Sequence, residues 1–178
     1  GLGGRLDAVN IVDPTVAVIT RVDLDHQAWL GEDRGSIARE KAGIMRQGIP
    51  VVVGDPEPPP QLLECAAAVG AAPVLRLGRE FGFEQRAGHW QGTLQCPDGR
   101  ARSLPALPQG PLLPANICSA LQAALLLGCD FTDRQLAVAV AGARPTGRCE
   151  THSWAGQEYV FDVAHNPAAA EVLGEALR

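Results

Sequence analysis

Lysine occurs once in this 178-residue chain, at position 41 within "REKAGIM"; the remaining basic residues are all arginine. A lysine on the apolar side of a helix is costly as an ammonium unless it is paired, and burial lowers its pKa so that neutral amine becomes available. A neutral amine can add carbon dioxide and become a carbamate, which is in effect a carboxylate. Arginine stays protonated and cannot do this. The plainer alternative is that Lys41 snorkels to solvent or pairs with a carboxylate such as Glu40. A second group of chemically able residues lies in "DLDHQAW" (23–29). Asp23, Asp25 and His26 follow an apolar run, and residues just past the C-terminal end of a parallel strand face the crevice where α/β proteins bind ligands. They can ligate a metal or position a phosphate, or else form a solvated loop with one hydrogen-bonded histidine. A third group is in "FDVAHNP" (161–167). Asp162 ends a strand and His165 precedes a helix N-terminus, where anions are favoured; the alternative is strand-end packing beside an ordinary Asn-Pro helix start. "GLGGRLDA" (1–8) resembles a phosphate loop, but it departs from G-x-G-x-x-G at the third glycine and has no preceding strand, so it reads as a tight turn.

The elements that must position these residues follow from the hydrophobic pattern. "TVAVIT" (15–20), "PVVVG" (50–54) and "PVLRLG" (73–78) read as strands. Between them lie a helix opened by Ser36, with Glu40 near its first turn, running through Met45 to a stop at Gly48 and Pro50, and a second helix over 61–70 ended by Gly70. Strand and helix alternating in this way predicts a parallel α/β sheet with helical crossovers. From Phe81 to Leu107 short alternating pieces separated by turns at Ala87–Gly88 and Asp98–Gly99 predict a small antiparallel meander. Helices follow over 113–128 and 132–142. "GARPTGR" (142–148) is a Gly/Pro linker and a domain boundary by composition. A strand over 158–163 and a helix opened by Asn166–Pro167 complete the chain.

Composition narrows the function classes. The chain is 46% hydrophobic and 20% charged with a net charge of −5. That fits a soluble globular protein and argues against a nucleic-acid or anionic-membrane partner. Five cysteines, none in a C-x-x-C pair, argue against a disulfide framework or a zinc site and for a reducing, cytoplasmic setting. The segment "LLPANICSALQAALLLGC" is interrupted by Pro114, Asn116, Ser119 and Gln122, and reads as a buried amphipathic helix.

Taken together, "GLGGRLDAVNIVDP", "LDHQAWLG", "SIAREKAGI" and "FDVAHNPAAAE", in this order and spacing, resemble the bacterial folylpolyglutamate synthase/dihydrofolate synthase family of the Mur ligase superfamily. The resemblance implies that residues 1–144 are the C-terminal part of a Mur-ligase-like ATPase domain. Residues 145–178 would begin a Rossmann-like C-terminal domain, the P-loop and a magnesium-binding glutamate lying before Gly1. It implies an ATP-dependent ligase that adds L-glutamate to dihydropteroate or reduced folates, or to both, through an acyl phosphate, with two Mg2+ sites in which Mn2+ can substitute. It implies closure of two domains to exclude water, with the hinge near 142–148. The chain without its P-loop is expected to be inactive.

By the same resemblance His26 binds the metal, and Lys41 is carbamylated and helps position metal and phosphates. Leu6, Asp7 and Ala8 contact the pterin substrate, and Asn116, Arg148, Asp162 and His165 face ATP. A histidine is an unusual donor for magnesium, which prefers oxygen. The chain departs from the family at Thr146–Gly147–Arg148, where Pro-Gly-Arg is common, and at Arg21 and Asp23, where small or neutral residues are usual. The resemblance leads to a monomer with small-molecule partners only. Two other readings stay open: a Mur ligase relative with a different acceptor, such as a cell-wall precursor, and a nucleotide-binding module without catalysis.

Overall fold

The central strand is three valines, Val51–Val53 (β2), all fully buried. Branching at Cβ favours extended backbone, and a strand covered on both faces can be continuously apolar. β2 lies between two parallel partners, Ala17–Ile19 (β1) and Val74–Arg76 (β3), with Val51 opposite both Ala17 and Val74. Parallel neighbours need long crossovers. These are the helices Arg34–Ala42 (α1), between β1 and β2, and Pro60–Val69 (α2), between β2 and β3. The computed structural model describes residues 3–24, 30–110 and 112–177.

Successive side chains of a strand point to opposite faces, so β2 divides its valines between two cores. Val51 and Val53 join Ala17, Ile19, Ile37 and Leu62 beneath α1 and α2. Val52 joins Leu75, Trp90, Leu94 and Cys118 on the other side. That second core is closed by the expected antiparallel sheet, Gly82–Arg86 (β4), His89–Gln95 (β5), Ala101–Ser103 (β6) and Leu107–Pro108 (β7). β4 and β6 flank β5, and β7 returns to pair with β5 rather than continuing the meander. Along β5, Trp90, Gly92 and Leu94 point inward and their neighbours outward. The helix Pro114–Leu126 (α3) packs on this sheet, and Asp133–Gly142 (α4) follows it behind a Thr132–Gln135 capping box. Gln122 of α3 is fully buried, and its amide meets both backbone groups of Gln95, accepting from the N–H at 2.9 Å and donating to the C=O at 2.8 Å. It satisfies a strand end that would otherwise be orphaned in an apolar core.

Three expectations are corrected. α1 is capped by Asp33, not Ser36: Asp33 Oδ1 accepts the Ser36 N–H at 2.9 Å and Oδ2 its hydroxyl at 2.7 Å. The helix therefore begins earlier, and Glu40 lies near its end. It also stops at Ala42 rather than running to Gly48: the Arg5 N–H takes the Glu40 carbonyl, and the Ile44 and Met45 N–H groups turn back onto the Lys41 and Ala42 carbonyls in tighter turns. Finally, the single strand over 158–163 is the second arm of a hairpin, Glu150–Trp154 (β8) and Gln157–Phe161 (β9), turned at Ala155–Gly156. "ETHSW" lacks an apolar run, which hid the first arm. The hairpin packs on itself, with Trp154 and Phe161 largely exposed. The helix Pro167–Ala176 (α5) follows, its Asn166 Oδ1 accepting the Ala169 N–H at 2.9 Å as expected of a cap. Among the described residues no helix is long and apolar enough to cross a membrane.

Just past β2, Asp55 is 2% exposed. It accepts the Val22 N–H at 2.9 Å, the Glu57 N–H at 2.9 Å and the Arg34 guanidinium at 3.0 Å. Arg34 also donates to the carbonyls of Val22 at 2.8 Å and Glu57 at 3.0 Å. One carboxylate and one guanidinium thus join the ends of β1 and β2 to the start of α1. Removing a partner from a buried, hydrogen-bonded charge costs several kcal/mol. Asp55→Ala is expected to lower stability by about 3 kcal/mol, and Arg34→Ala, whose side chain is partly solvated, by about 1 kcal/mol. Urea unfolding midpoints of the two variants check the order.

Candidate functional site

The glycine-rich N-terminus is a docking loop. Gly4 lies so close to the end of α1 that a Cβ would stand 2.3 Å from the Glu40 carbonyl oxygen, and its φ of +81° is one that side chains rarely adopt. The Arg5 N–H donates to that same carbonyl at 2.7 Å. The Arg5 guanidinium forks onto the Glu40 carboxylate, with both bonds at 3.1 Å. Farther along, Asn10 donates to the carbonyls of Arg5 and Gly43, each at 3.2 Å, and Arg46 donates to Asn10 and to Asp13. Of the last carbonyls of α1, that of Glu40 is met by this loop, and those of Lys41 and Ala42 by the Ile44 and Met45 N–H groups that follow the helix. Of "GLGGRLDA", the described residues 3–8 form a tight turn, the Asp7 N–H donating to the Gly4 carbonyl at 3.1 Å, and they hold a helix end.

Asp7 organises the loop from within. Its carboxylate accepts the Val9 N–H at 3.1 Å and the Gly3 N–H at 2.8 Å, capping a 3-10 turn over Ala8–Ile11. These backbone donors, Val9 foremost, hold its carboxyl below the usual carboxylate pKa. Leu6 and Ala8 on either side are exposed.

Lys41 sits in the last turn of α1, half-buried, one turn after the fully buried Ile37 and Ala38. Its Nζ lies beside Gly3, 3.7 Å from where a Cβ would stand. Glu40, the partner expected in the plainer reading, is engaged by Arg5. Among the described residues no carboxylate forms an ion pair with Lys41. The loop carrying Leu6, Asp7 and Ala8 and the amine of Lys41 are therefore brought together at one helix end.

Asp25 and His26 lie outside the described residues. Asp23, in the loop beyond β1, pairs with Arg21 at 3.3 Å and caps the Leu24 N–H at 2.8 Å. Among the described residues no three His, Cys, Asp or Glu side chains gather as a metal site.

A second assembly forms where the linker meets the hairpin. The Val163 N–H donates to the Gly147 carbonyl at 2.8 Å, and the Asp162 carboxylate accepts the N–H groups of Cys149 at 2.9 Å and Ala164 at 2.8 Å. Arg148 is exposed between Gly147 and Cys149, and His165 Nδ1 lies 2.8 Å from the Val163 carbonyl. A largely apolar cavity of about 720 Å³ adjoins this turn, lined by Gly147, His152, Trp154, Tyr159 and Phe161 among others. Asn116 belongs to neither group; it is exposed in the first turn of α3. Sequence reasoning missed Arg5, Glu40, Arg34, Asp55 and Cys149 as supports. Only Asp55, an acid directly after a fully apolar strand, carried a local signal.

Comparison with known proteins places this arrangement. No family model matches the chain. The dihydrofolate synthase/folylpolyglutamate synthase of Escherichia coli (strain K12) is 42% identical over 174 residues, 97% of this chain and 39% of the relative. The structure of E. coli FolC in complex with DHPP and ADP superimposes with a TM-score of 0.85 at 40% identity, over 98% of this chain and 41% of that one. The Yersinia pestis c092 bifunctional enzyme, complexed with AMPPNP and Mn ion, gives 0.84 at 41% identity over 99% and 41%. The fold is that of the Mur ligase superfamily. Within it, the chain belongs to the dihydrofolate synthase/folylpolyglutamate synthase family. It spans about two fifths of the length of these relatives.

Two outcomes follow for the docking loop. Gly4→Ala places a methyl into the Glu40 carbonyl at a backbone angle unfavourable for alanine, and is expected to cost about 2 kcal/mol or more, read as a lower thermal midpoint. Because Asp7 has a depressed carboxyl pKa, its capping contribution is present above the ordinary carboxylate range and is lost as pH falls through the lowered folded value. The Gly3 amide resonance should follow that acid titration, and Asp7→Asn should abolish it.

Proposed function

We propose that this chain is the part of an ATP-dependent acid–amino acid ligase that carries its reactive lysine. The ligase would add L-glutamate to dihydropteroate or a reduced folate through an acyl phosphate. The observation that supports this best is Lys41: its amine is half-buried, stands apart from Glu40 and borders a glycine-lined space in a family-matched fold. As a carbamate it would present two anionic oxygens.

That chemistry bears on the metal. One imidazole and an unmodified lysine do not suit magnesium, which prefers oxygen donors. A carbamate on Lys41 would supply such donors, and the set, with the His26 imidazole that the resemblance implies, would then fit Mg2+ or Mn2+ with further ligands from the rest of the ligase. A bound divalent ion would offset phosphate charge in the loose, charge-rich transition state of phosphoryl transfer. This chain's own residues would do the rest. Lys41 would orient the phosphate-side ligand set, the 6–8 segment would border the acceptor, and Arg148 would present a guanidinium to an anionic group. Asn116, Asp162 and His165 are assigned to the nucleotide side.

We read 1–144 as ATPase-domain structure and 145–178 as the start of the C-terminal domain. The self-contained packing of the hairpin supports that division. All five cysteines are free thiols, which supports a reducing, cytoplasmic setting for a monomer acting on small molecules.

The test is glutamate ligation by a ligase-length protein containing residues 1–178, with dihydropteroate and with tetrahydrofolate in turn. No ATP-dependent ligation with either acceptor sinks the reading. Lys41→Ala is expected to reduce turnover by about 100-fold, with partial recovery when formate or acetate is added. Undiminished turnover by Lys41→Ala removes the carbamate role. A 13C carbamate signal under labelled bicarbonate that disappears in Lys41→Arg identifies the modified amine directly.

A further inference from the structure

The linker turn that carries Arg148 is held in an unusual backbone conformation. Cys149 has a φ of +45°, a left-handed conformation that a residue with a side chain adopts at a cost. Such strain persists only where surrounding contacts impose it. Here the imposing group is Asp162. One of its carboxylate oxygens takes the Cys149 N–H at 2.9 Å and the other the Ala164 N–H at 2.8 Å, so a single side chain ties the linker to the end of β9. On the other side of Arg148, Gly147 is also left-handed, at +70°, and a Cβ there would stand 2.8 Å from Val163 Cγ1. The Gly147 N–H is taken by Glu150 Oε2 at 2.9 Å and its carbonyl by the Val163 N–H at 2.8 Å. Both residues flanking Arg148 are thus fixed, while its guanidinium is exposed and makes no hydrogen bond or ion pair among the described residues.

We propose that Asp162 is a positioning residue: by holding Cys149 left-handed it sets the direction in which Arg148 is presented to an anionic ligand. This rests on the nucleotide-ligase reading for the identity of that ligand, the phosphate groups of ATP. A flexible linker would present the same guanidinium over a wide range of directions and lose orientation on binding. Burial, and next the Asp162 carboxylate, also hold the Cys149 thiol above its ordinary pKa, as expected if that carboxylate lies against the residue it restrains.

The role predicts suppression. Glycine adopts the left-handed conformation without the steric cost borne by cysteine, so Cys149→Gly lessens the need for the Asp162 clamp. In the ligase-length protein, Asp162→Ala should raise the KM for ATP by roughly tenfold, the scale of one strained residue. Adding Cys149→Gly should recover most of that loss, and Asp162→Asn, which keeps one acceptor oxygen, should fall between. If Asp162→Ala and the double variant are equally impaired, the effect of Asp162 does not run through the Cys149 backbone and the proposal is overturned. A second measurement needs no activity. The Cys149 amide, whose N–H is held by Asp162 at 2.9 Å, should exchange with deuterium several-fold faster in Asp162→Ala. An unchanged rate overturns the clamp. If the wild type shows no ligation while Cys149 amide exchange still accelerates, the functional reading fails and the clamp stands.

Discussion

The Asp55–Arg34 pair is the interaction on which the ligand edge of the sheet depends. A parallel sheet leaves the backbone groups at its strand ends unpaired, and those ends are where α/β proteins recognise ligands. Here the end of β2 supplies a buried carboxylate, and α1 supplies a guanidinium able to donate in several directions at once. The clamp closes the loop after β1 onto the loop after β2 and fixes where α1 starts. Because α1 is a rigid rod, fixing its start also sets the position of its end, and that end carries Lys41. A buried charge is not favourable in itself. It serves here because it pairs with a guanidinium and takes the N–H of the fully buried Val22, which would otherwise be left unsatisfied.

The other end of α1 is held by a different device. Its Glu40 carbonyl meets a loop whose backbone can come close only because Gly4 has no side chain. The Arg5–Glu40 fork adds orientation more than energy, since a pair this exposed is worth little in water. Its chemical consequence is larger than its energetic one. By engaging the carboxylate adjacent to Lys41 in sequence, it withdraws a candidate counter-ion from the amine. The segment 6–8 and the lysine then share one rigid mount, so a change in one is transmitted to the other without any direct bond between them.

The parts of this architecture legible in the sequence were those that depend on local pattern. Apolar runs marked all three parallel strands, Gly70 marked the end of α2, and glycine turns marked the antiparallel sheet. Asn166 and Pro167 marked the start of α5. The misplacements have specific causes. Ser36 and Asp33 are both good caps, and only the backbone shows which one accepts. The end of α1 is set by a loop over thirty positions earlier in the chain, which no local window can contain. β8 is polar on both faces because little covers it, so the alternation that reveals a strand is absent. The candidates Lys41 and Asp162 were legible because chemistry restricts which side chains can serve there, whereas Arg148 was named only through the family resemblance. Their supports, Arg5, Asp55 and Cys149, were not, because each acts through a partner distant in sequence.

The distribution of basic residues then has a physical explanation. Arg34 makes bonds to three different acceptor residues, Arg5 forks onto a carboxylate, Arg46 gathers the carbonyls of Asn10, Gly43 and Met45 with the Asp13 carboxylate, and Arg76 forks onto Glu80. These tasks call for a planar donor array that never loses its charge, which an ammonium cannot supply. Position 41 calls for the opposite. It holds no carbonyl and no carboxylate among the described residues, and sits beside a glycine that leaves its amine room. An arginine there would bring a permanent charge and a broad donor face to a space with nothing to receive them.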